Sequence, residues 1–207
     1  MDNTDQYSDR LALVTVLGSA GRRAAKVPQV EAATPGWHRQ PGRGAYAKPE
    51  RERRFLLRTD PPPGEVMRRI EDRYIDGTRL RLRRVEVGLD AVYKLTQKVR
   101  VRAEDPADVS ITNMYLTASE HAVFNALPGR TMSKTRHVYR VAGHDFAVDT
   151  FQGRLVGLRL AEVEVEDVVA PLPLASWIGQ EVTHDDCYSG GYLAFASDAQ
   201  VRSLLTR

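Results

Sequence analysis

Cysteine is almost missing from this chain. Cys187 stands alone, which excludes an intramolecular disulfide and a cysteine-based metal cluster. Long apolar runs are missing too. A membrane helix needs roughly 20 apolar residues, and the best candidate, Leu11 to Leu17, is far shorter. Positive charge is absent where a secretory signal would carry it, because Asp2, Asp5 and Asp9 precede that run. A cytoplasmic protein with no membrane partner is therefore expected. Strong net charge is lacking: 30 Lys+Arg against 27 Asp+Glu leave only +3. That small excess gives no reason to expect a stable nucleic-acid complex. The histidines, His38, His121, His137, His144 and His184, fall at no ligand spacing, and surface roles are expected for them. No internal repeat of fixed length is visible.

What is present suits one fair-sized domain with a tail. The 207 residues are 42% hydrophobic and 28% charged, the balance of an ordinary globular chain. Residues 1–47 differ from the rest. Pro28, Pro35, Gly36, Pro41, Gly42 and Gly44 break any period there, so an irregular or disordered leader is expected, with one marginal helix near Leu11 to Lys26. The domain proper is expected over 48–207.

From Glu50 onward the period is two, the signature of strands. The expected strands are Glu50–Arg58, Glu71–Asp76, Thr78–Val87, Ala91–Arg102, Val109–Leu116, Thr131–Val141, His144–Phe151 and Arg154–Val168. Turn chemistry separates them at Asp60-Pro61-Pro62-Pro63-Gly64, Asp76-Gly77, Pro128-Gly129, Gly143 and Gly153. Short helices fit Glu65–Ile70, Ser119–Leu127 and Asp198–Leu205. The second has Thr117 as N-cap and Glu120 to complete a capping box. Trp177 and Tyr188 are expected to pack the C-terminal helices. The fold class is α+β, mainly β: an eight-stranded antiparallel barrel with flanking short helices.

Strand parity then places the charges. Glu50, Glu52 and Arg54 share one face, as do Arg79, Arg81 and Arg83. Lys94, Thr96, Lys98, Arg100 and Arg102 line up against Tyr93, Leu95, Val99 and Val101. Lys134, Arg136 and Arg140 share a face, and Glu162, Glu164 and Glu166 oppose Ala161, Val163 and Val165. Three strands are nearly all cationic on that face and the eighth is anionic. Solvated faces usually mix signs, since like charges side by side repel. A barrel with this face inside, and helices over the apolar outside, makes an ionic cavity. Such a cavity needs a charged occupant, because buried unpaired charge is costly. Arg and Lys rows suit phosphoryl oxygens. Carboxylates at i, i+2 suit a hard cation such as Mg²⁺.

The same residues resemble the CYTH superfamily, the triphosphate tunnel metalloenzymes. Glu50-Arg51-Glu52-Arg53-Arg54-Phe55-Leu56 is similar to the family's opening Glu-x-Glu-x-Lys strand. Arg79-Leu80-Arg81-Leu82-Arg83 resembles its Arg-x-Arg strand, and Leu95-Thr96-Gln97-Lys98 its Leu-Thr-x-Lys strand. Lys134-Thr135-Arg136, Asp149-Thr150-Phe151-Gln152-Gly153, Ala161-Glu162-Val163-Glu164 and the run from Trp177 to Tyr188 follow in the family's order. The likeness runs from about residue 48 to 196. Three positions depart from it. Arg54 stands where the family has Lys. The fifth strand, Ile111 to Leu116, lacks an expected acidic residue. Ser189-Gly190-Gly191 stands where relatives often carry Asn and Lys.

The resemblance implies an eight-stranded triphosphate tunnel and chemistry dependent on Mg²⁺ or Mn²⁺. The substrate would be inorganic triphosphate, thiamine triphosphate or a nucleoside triphosphate, and the enzyme a phosphoanhydride hydrolase. Arg54, Arg79, Arg81, Arg83, Lys98, Lys134 and Arg136 would hold the phosphates. Parity does not say which two of Arg79, Arg81 and Arg83 form the family pair; register relative to Arg84 favours Arg81 and Arg83. Glu50, Glu52, Asp149, Glu162 and Glu164 would hold metal. Glu52, Lys134 and Tyr74 are the candidates for proton transfer. Adenylate cyclase and a non-catalytic polyphosphate or nucleotide-binding module are the alternatives. A monomer or homodimer is expected.

Overall fold

The computed structural model describes residues 41–64, 67–102 and 105–206. The expected leader helix near Leu11 to Lys26 lies outside these residues. Among the described residues, nine strands and three α-helices follow in order. They are β1 (Lys48–Leu57), β2 (Met67–Ile75), β3 (Leu80–Val87), β4 (Asp90–Arg100), β5 (Asp108–Leu116), α1 (Ala118–Asn125), β6 (Gly129–Val141), β7 (His144–Phe151), β8 (Arg159–Glu164), β9 (Ile178–Glu181), α2 (Gly190–Phe195) and α3 (Asp198–Leu205).

Every pairing is antiparallel. The sheet runs β5-β4-β3-β2-β6-β7-β8-β1, and β5 returns to β1 to close an eight-stranded barrel. Along one edge of β1 the partner changes. Lys48 to Arg51 pair with β5, and Phe55 and Leu57 pair with β9. The other edge of β1, from Glu52 to Leu56, pairs with β8. Short connections keep the hairpins in register. Val141 pairs with His144 across a two-residue turn in which Ala142 (φ 45°) and Gly143 (φ 90°) are both left-handed. That turn's twist matches the strands it joins.

The apolar residues lie mainly outside the barrel wall and at one end. Phe55, Phe146, Val148, Ala161, Val163, Trp177 and Ile178 form an outer cluster. The cover there is not a helix, as expected from the sequence, but the irregular chain around Leu172 and Ala175, together with β9. Trp177 therefore packs the barrel, edge-on to Phe146 with ring centroids 6.2 Å apart, and not the C-terminal helices. Phe124 of α1 and Leu116 cover Ile75, Leu82 and Leu95. The third cluster joins Met132, Phe151 and Leu160 of the barrel to Tyr188, Leu193, Val201 and Leu204, so the C-terminal helices seat against one end.

Two of the three expected helices form as read, including the Thr117–Glu120 capping box and α3 over Asp198–Leu205. The third does not. Residues 65–66 lie outside the described set, and Met67 to Ile70 begin β2, where they pair with Lys134 to His137 of β6. Pairing with a long central neighbour overrides the weak helical spacing of that stretch. The eighth strand is also shorter than expected. Gly153 and Gly157 both take positive φ, and a short 3₁₀ turn at Gly153–Leu155 delays β8 until Arg159.

Candidate functional site

Registered pairs carry one face around the wall, because directly opposed residues in neighbouring strands point the same way. Glu52 lies opposite Glu164 and Arg54 opposite Glu162. Asp72 lies opposite both Arg83 and Met132, and Tyr74 opposite Arg81. Arg83 faces Lys94, and Arg81 faces Thr96. Arg136 faces Asp149. All the charged members of this ring except Asp72 and Asp149 line one cavity of about 1180 Å³, together with Glu50, Lys98, Lys134, Asn113, Tyr188 and Tyr192. The parity argument is realised: the ionic face is the inside.

The interior is a chain of charge-assisted bonds. Arg136 donates from Nε and Nη2 to the two oxygens of Asp149, each at 2.6 Å, and from Nη2 to Glu162 at 2.6 Å. Arg54 Nε donates to the other Glu162 oxygen at 3.2 Å. Lys134 donates to Asp149. Lys98 donates to Glu50, and more weakly to Glu52 at 3.5 Å. Arg83 grips Asp72 with two bonds of 2.6 and 2.7 Å. Arg81 Nε lies 3.7 Å from the same carboxylate and, although buried, has no hydrogen-bond partner. An unmet buried donor of this kind is costly, and an added acceptor would relieve it.

These neighbours set the ionisation. Burial opposes the charge on Asp72, but Arg81 and Arg83 outweigh it and hold the carboxyl far below its usual range. Burial likewise opposes Glu162, and Lys134, Arg136, Arg54 and Lys98 outweigh it, so this carboxyl also ionises well below the usual range. Glu50 moves the other way. Burial raises it, with repulsion from Glu52 adding and Lys98 opposing. Burial pushes the Lys134 ammonium below the ordinary lysine value, offset in part by Asp149. Burial pushes the Tyr74 phenol up, so it stays protonated.

The expected residues thus gather as follows. Glu50, Glu52, Arg54, Arg81, Arg83, Lys98, Lys134, Arg136, Glu162 and Glu164 all line the cavity. Of the three arginines left open by parity, Arg81 and Arg83 lie on β3 and share Asp72, whereas Arg79 precedes the strand in the β2–β3 connection. Asp149 is fully buried, with three bonds from two cations on its two oxygens. Among the described residues, no group of three or more His, Cys, Asp or Glu side chains is gathered as a ready metal cluster. The carboxylate donors nonetheless suit a hard divalent cation by type, and Glu52 and Glu164 stand side by side in register.

Two functional residues escaped the sequence reading. Asp72 sits between Glu71 and Arg73, where parity alone does not separate an anchor from a surface charge. Gly190 is the other. A side chain there would collide with the Tyr74 hydroxyl. The Ser189-Gly190-Gly191 departure was visible, but its partner was not.

No family model matches the chain. A stretch of 57 residues is 39% identical to an inorganic triphosphatase of Acetivibrio thermocellus, covering 28% of this chain; the match spans about a third, 36%, of that relative's length. A solved inorganic triphosphatase aligns at 25% identity over 72% of this chain and 95% of its own, with a TM-score of 0.49. A solved Bacillus halodurans protein described as a putative adenylate cyclase aligns at 16% identity over 59% of this chain and 83% of its own, with a TM-score of 0.43. Over the 57-residue stretch the chain is similar to an inorganic triphosphatase, and the closed barrel turns its ordered charged motifs inward.

Proposed function

We propose that the tunnel binds a triphosphate and hydrolyses its terminal phosphoanhydride with the help of Mg²⁺ or Mn²⁺. The observation that carries this reading is the division of one cavity into two walls. Arginines and lysines of β3, β4 and β6 face glutamates of β1 and β8. The local likeness to an inorganic triphosphatase supports the same chemistry.

Arg81, Arg83, Arg54, Arg136 and Lys98 would hold the phosphate oxygens, with Arg79 at the β2–β3 connection. The partnerless Nε of Arg81 is a donor already buried and awaiting an acceptor. Asp72 and Asp149 are assigned to fixing the arginines, because their oxygens are engaged by them. Glu50, Glu52, Glu162 and Glu164 would hold the divalent ion, whose contribution is to offset phosphate charge and acidify water. Hydrolysis then forms a bond between the water oxygen and the terminal phosphorus and breaks the bond from that phosphorus to the bridging oxygen. Glu52 accepts the water proton. Lys134, its ammonium weakened by burial, supplies a proton to the departing diphosphate. Tyr74 donates a hydrogen bond from a phenol that stays protonated. The arginines offset the charge that spreads over the equatorial oxygens in the transition state.

A second reading, binding without turnover, is favoured by one feature. Lys98 bonds Glu50 and Glu52, so two of the proposed metal ligands already have a cation. Phosphate release from inorganic triphosphate, thiamine triphosphate and ATP, each with Mg²⁺ or Mn²⁺, separates the readings. Metal-dependent phosphate release is expected. Thermal stabilisation by triphosphate with no turnover would mean a binding module, and cyclic AMP with diphosphate from ATP would mean a cyclase.

A further inference from the structure

The barrel closes along only part of β5. On one edge, Asp108 to Ile111 pair with β1. The other edge pairs with β4 from Val109 out to Leu116. Beyond Ile111 the first edge is open: among the described residues, no strand pairs with Thr112 to Leu116 on that side. The residues that would continue the seam turn away. The Ala47 N–H donates to the Gly44 carbonyl at 3.0 Å in a turn just before β1. The chain then crosses β4 and β5 at Val99 and Ser110, where the Gly42 carbonyl accepts a 2.7 Å bond from Ser110 Oγ. A Cβ on Gly42 would lie 2.9 Å from Val99 Cβ, so the backbone there is pressed against the wall. Nor does α1 cover the edge. It folds back over β3 and β4, where Phe124 packs on Leu82 and Leu95, and His121 lies 4.8 Å from Tyr93, ring centre to ring centre.

An open strand edge offers unpaired N–H and C=O groups, and it is usually blunted by shortness, charge or proline. β9 fits that rule: it pairs with β1 alone, is four residues long and carries Glu181. Thr112-Asn113-Met114-Tyr115-Leu116 has no charge and no proline. It extends about 17 Å at the usual rise. Asn113, Met114 and Tyr115 are exposed in succession, so both faces of the strand meet solvent there. Met114 keeps 56% of its surface exposed and Tyr115 keeps 69%.

We propose that this edge pairs with the same edge of a second copy of the chain, antiparallel and about a two-fold axis at Met114. A two-fold contact needs a patch that complements itself, and an antiparallel strand edge does so by its geometry. Thr112 then lies opposite the partner's Leu116, Asn113 opposite the partner's Tyr115, and Met114 opposite the partner's Met114. Like charges meet at none of these places, whereas a lysine or glutamate on the axis would face its own copy. Met114 gains an apolar neighbour for a side chain now half in water.

The contact is small, so a dimer that dissociates on dilution is expected. Sedimentation of the full chain from about 1 to about 100 µM covers the range in which small interfaces exchange. Met114→Lys and Met114→Glu each set like charges on the axis and should stay monomeric at every concentration. Mixed in equal amounts, the two variants set opposite charges there, and the dimer should return. A wild type that is monomeric throughout refutes the pairing. So does a dimer that both variants keep, or a mixture that stays monomeric. Amide hydrogen exchange on the wild type needs no variant to fold. Exchange from Thr112 to Leu116 should slow as the concentration rises. Protection that is the same at every concentration would show the edge covered within its own chain, and would overturn the proposal.

Discussion

At the scale of single residues, the arginines of β3 are organised by one carboxylate that was not conspicuous in the sequence. Asp72 is buried beneath Arg81 and Arg83. Replacing it with Asn leaves two inward guanidiniums without their counter-charge. Breaking a buried pair in this way typically costs about 3–5 kcal/mol, so Asp72→Asn should lower urea stability by that order at pH 7. The sign of its pH dependence follows from its depressed ionisation. The stabilisation is complete above the unfolded aspartate value of about 4 and is lost as pH falls below it. The gap between wild type and Asp72→Asn should therefore be widest at neutral pH and shrink in urea melts below about pH 4. A gap that stayed constant would show that the pair contributes no such linkage. Gly190→Ala is the complementary case. The new methyl group meets the Tyr74 hydroxyl, so the phenol must move or α2 must lift. Loss of activity with little change in triphosphate-dependent stabilisation is expected if the Tyr74 hydrogen bond serves the chemical step. The arginines and glutamates were legible from parity because each occupies a clean alternation. Asp72, between Glu71 and Arg73, offered none.

At the scale of elements, the central strands were legible and their ends were not. β7 spans His144–Phe151 as read, because Gly143 and the period-two pattern mark its start without competition. β2 begins earlier than its pattern suggests, since the long partner β6 supplies a register down to Met67. β9 is only four residues long, and a local pattern of that length carries little signal against its turn-rich surroundings. The outer wall depends on the large side chains that β1 and β7 place there. Phe55 is 1% exposed and tilts against Phe146 at 6.4 Å. Phe55→Ala should cost about 3–5 kcal/mol in a denaturant melt, with little change in KM if the folded fraction retains its tunnel. By contrast, Thr117→Ala removes one capping bond at a solvent-exposed helix start. A loss of about 1 kcal/mol is expected.

At the scale of the whole molecule, two walls of opposite charge face one another and meet in ion pairs. A triphosphate with its metal must exchange those pairs for its own. Binding should then stabilise the fold strongly and weaken as ionic strength rises. A shift in melting temperature with triphosphate and Mg²⁺ that disappears on chelation is the expected result. Glu164→Gln should abolish metal-dependent turnover. If turnover survives unchanged, the glutamate wall does not hold the metal. The closure of the barrel and the order of its motifs were legible from sequence. The engagement of Asp149 by Lys134 and Arg136 was not, because it depends on the register of the β6–β7 hairpin, which alternation within either strand does not give.

The divided edge of β1 also bears on how the chain comes to be folded. β1 precedes all three of its partners, β5, β8 and β9, along the chain. During synthesis it waits as an unpaired edge while the intervening hairpins form on their own. The last of its partners, β9, arrives only when Glu181 has been made. Pairings this distant in sequence make for slow closure, and an open edge is a template for other chains. The seam of the barrel is thus the place where a growing chain is most exposed to misassembly, and the C-terminal segment is what ends that exposure.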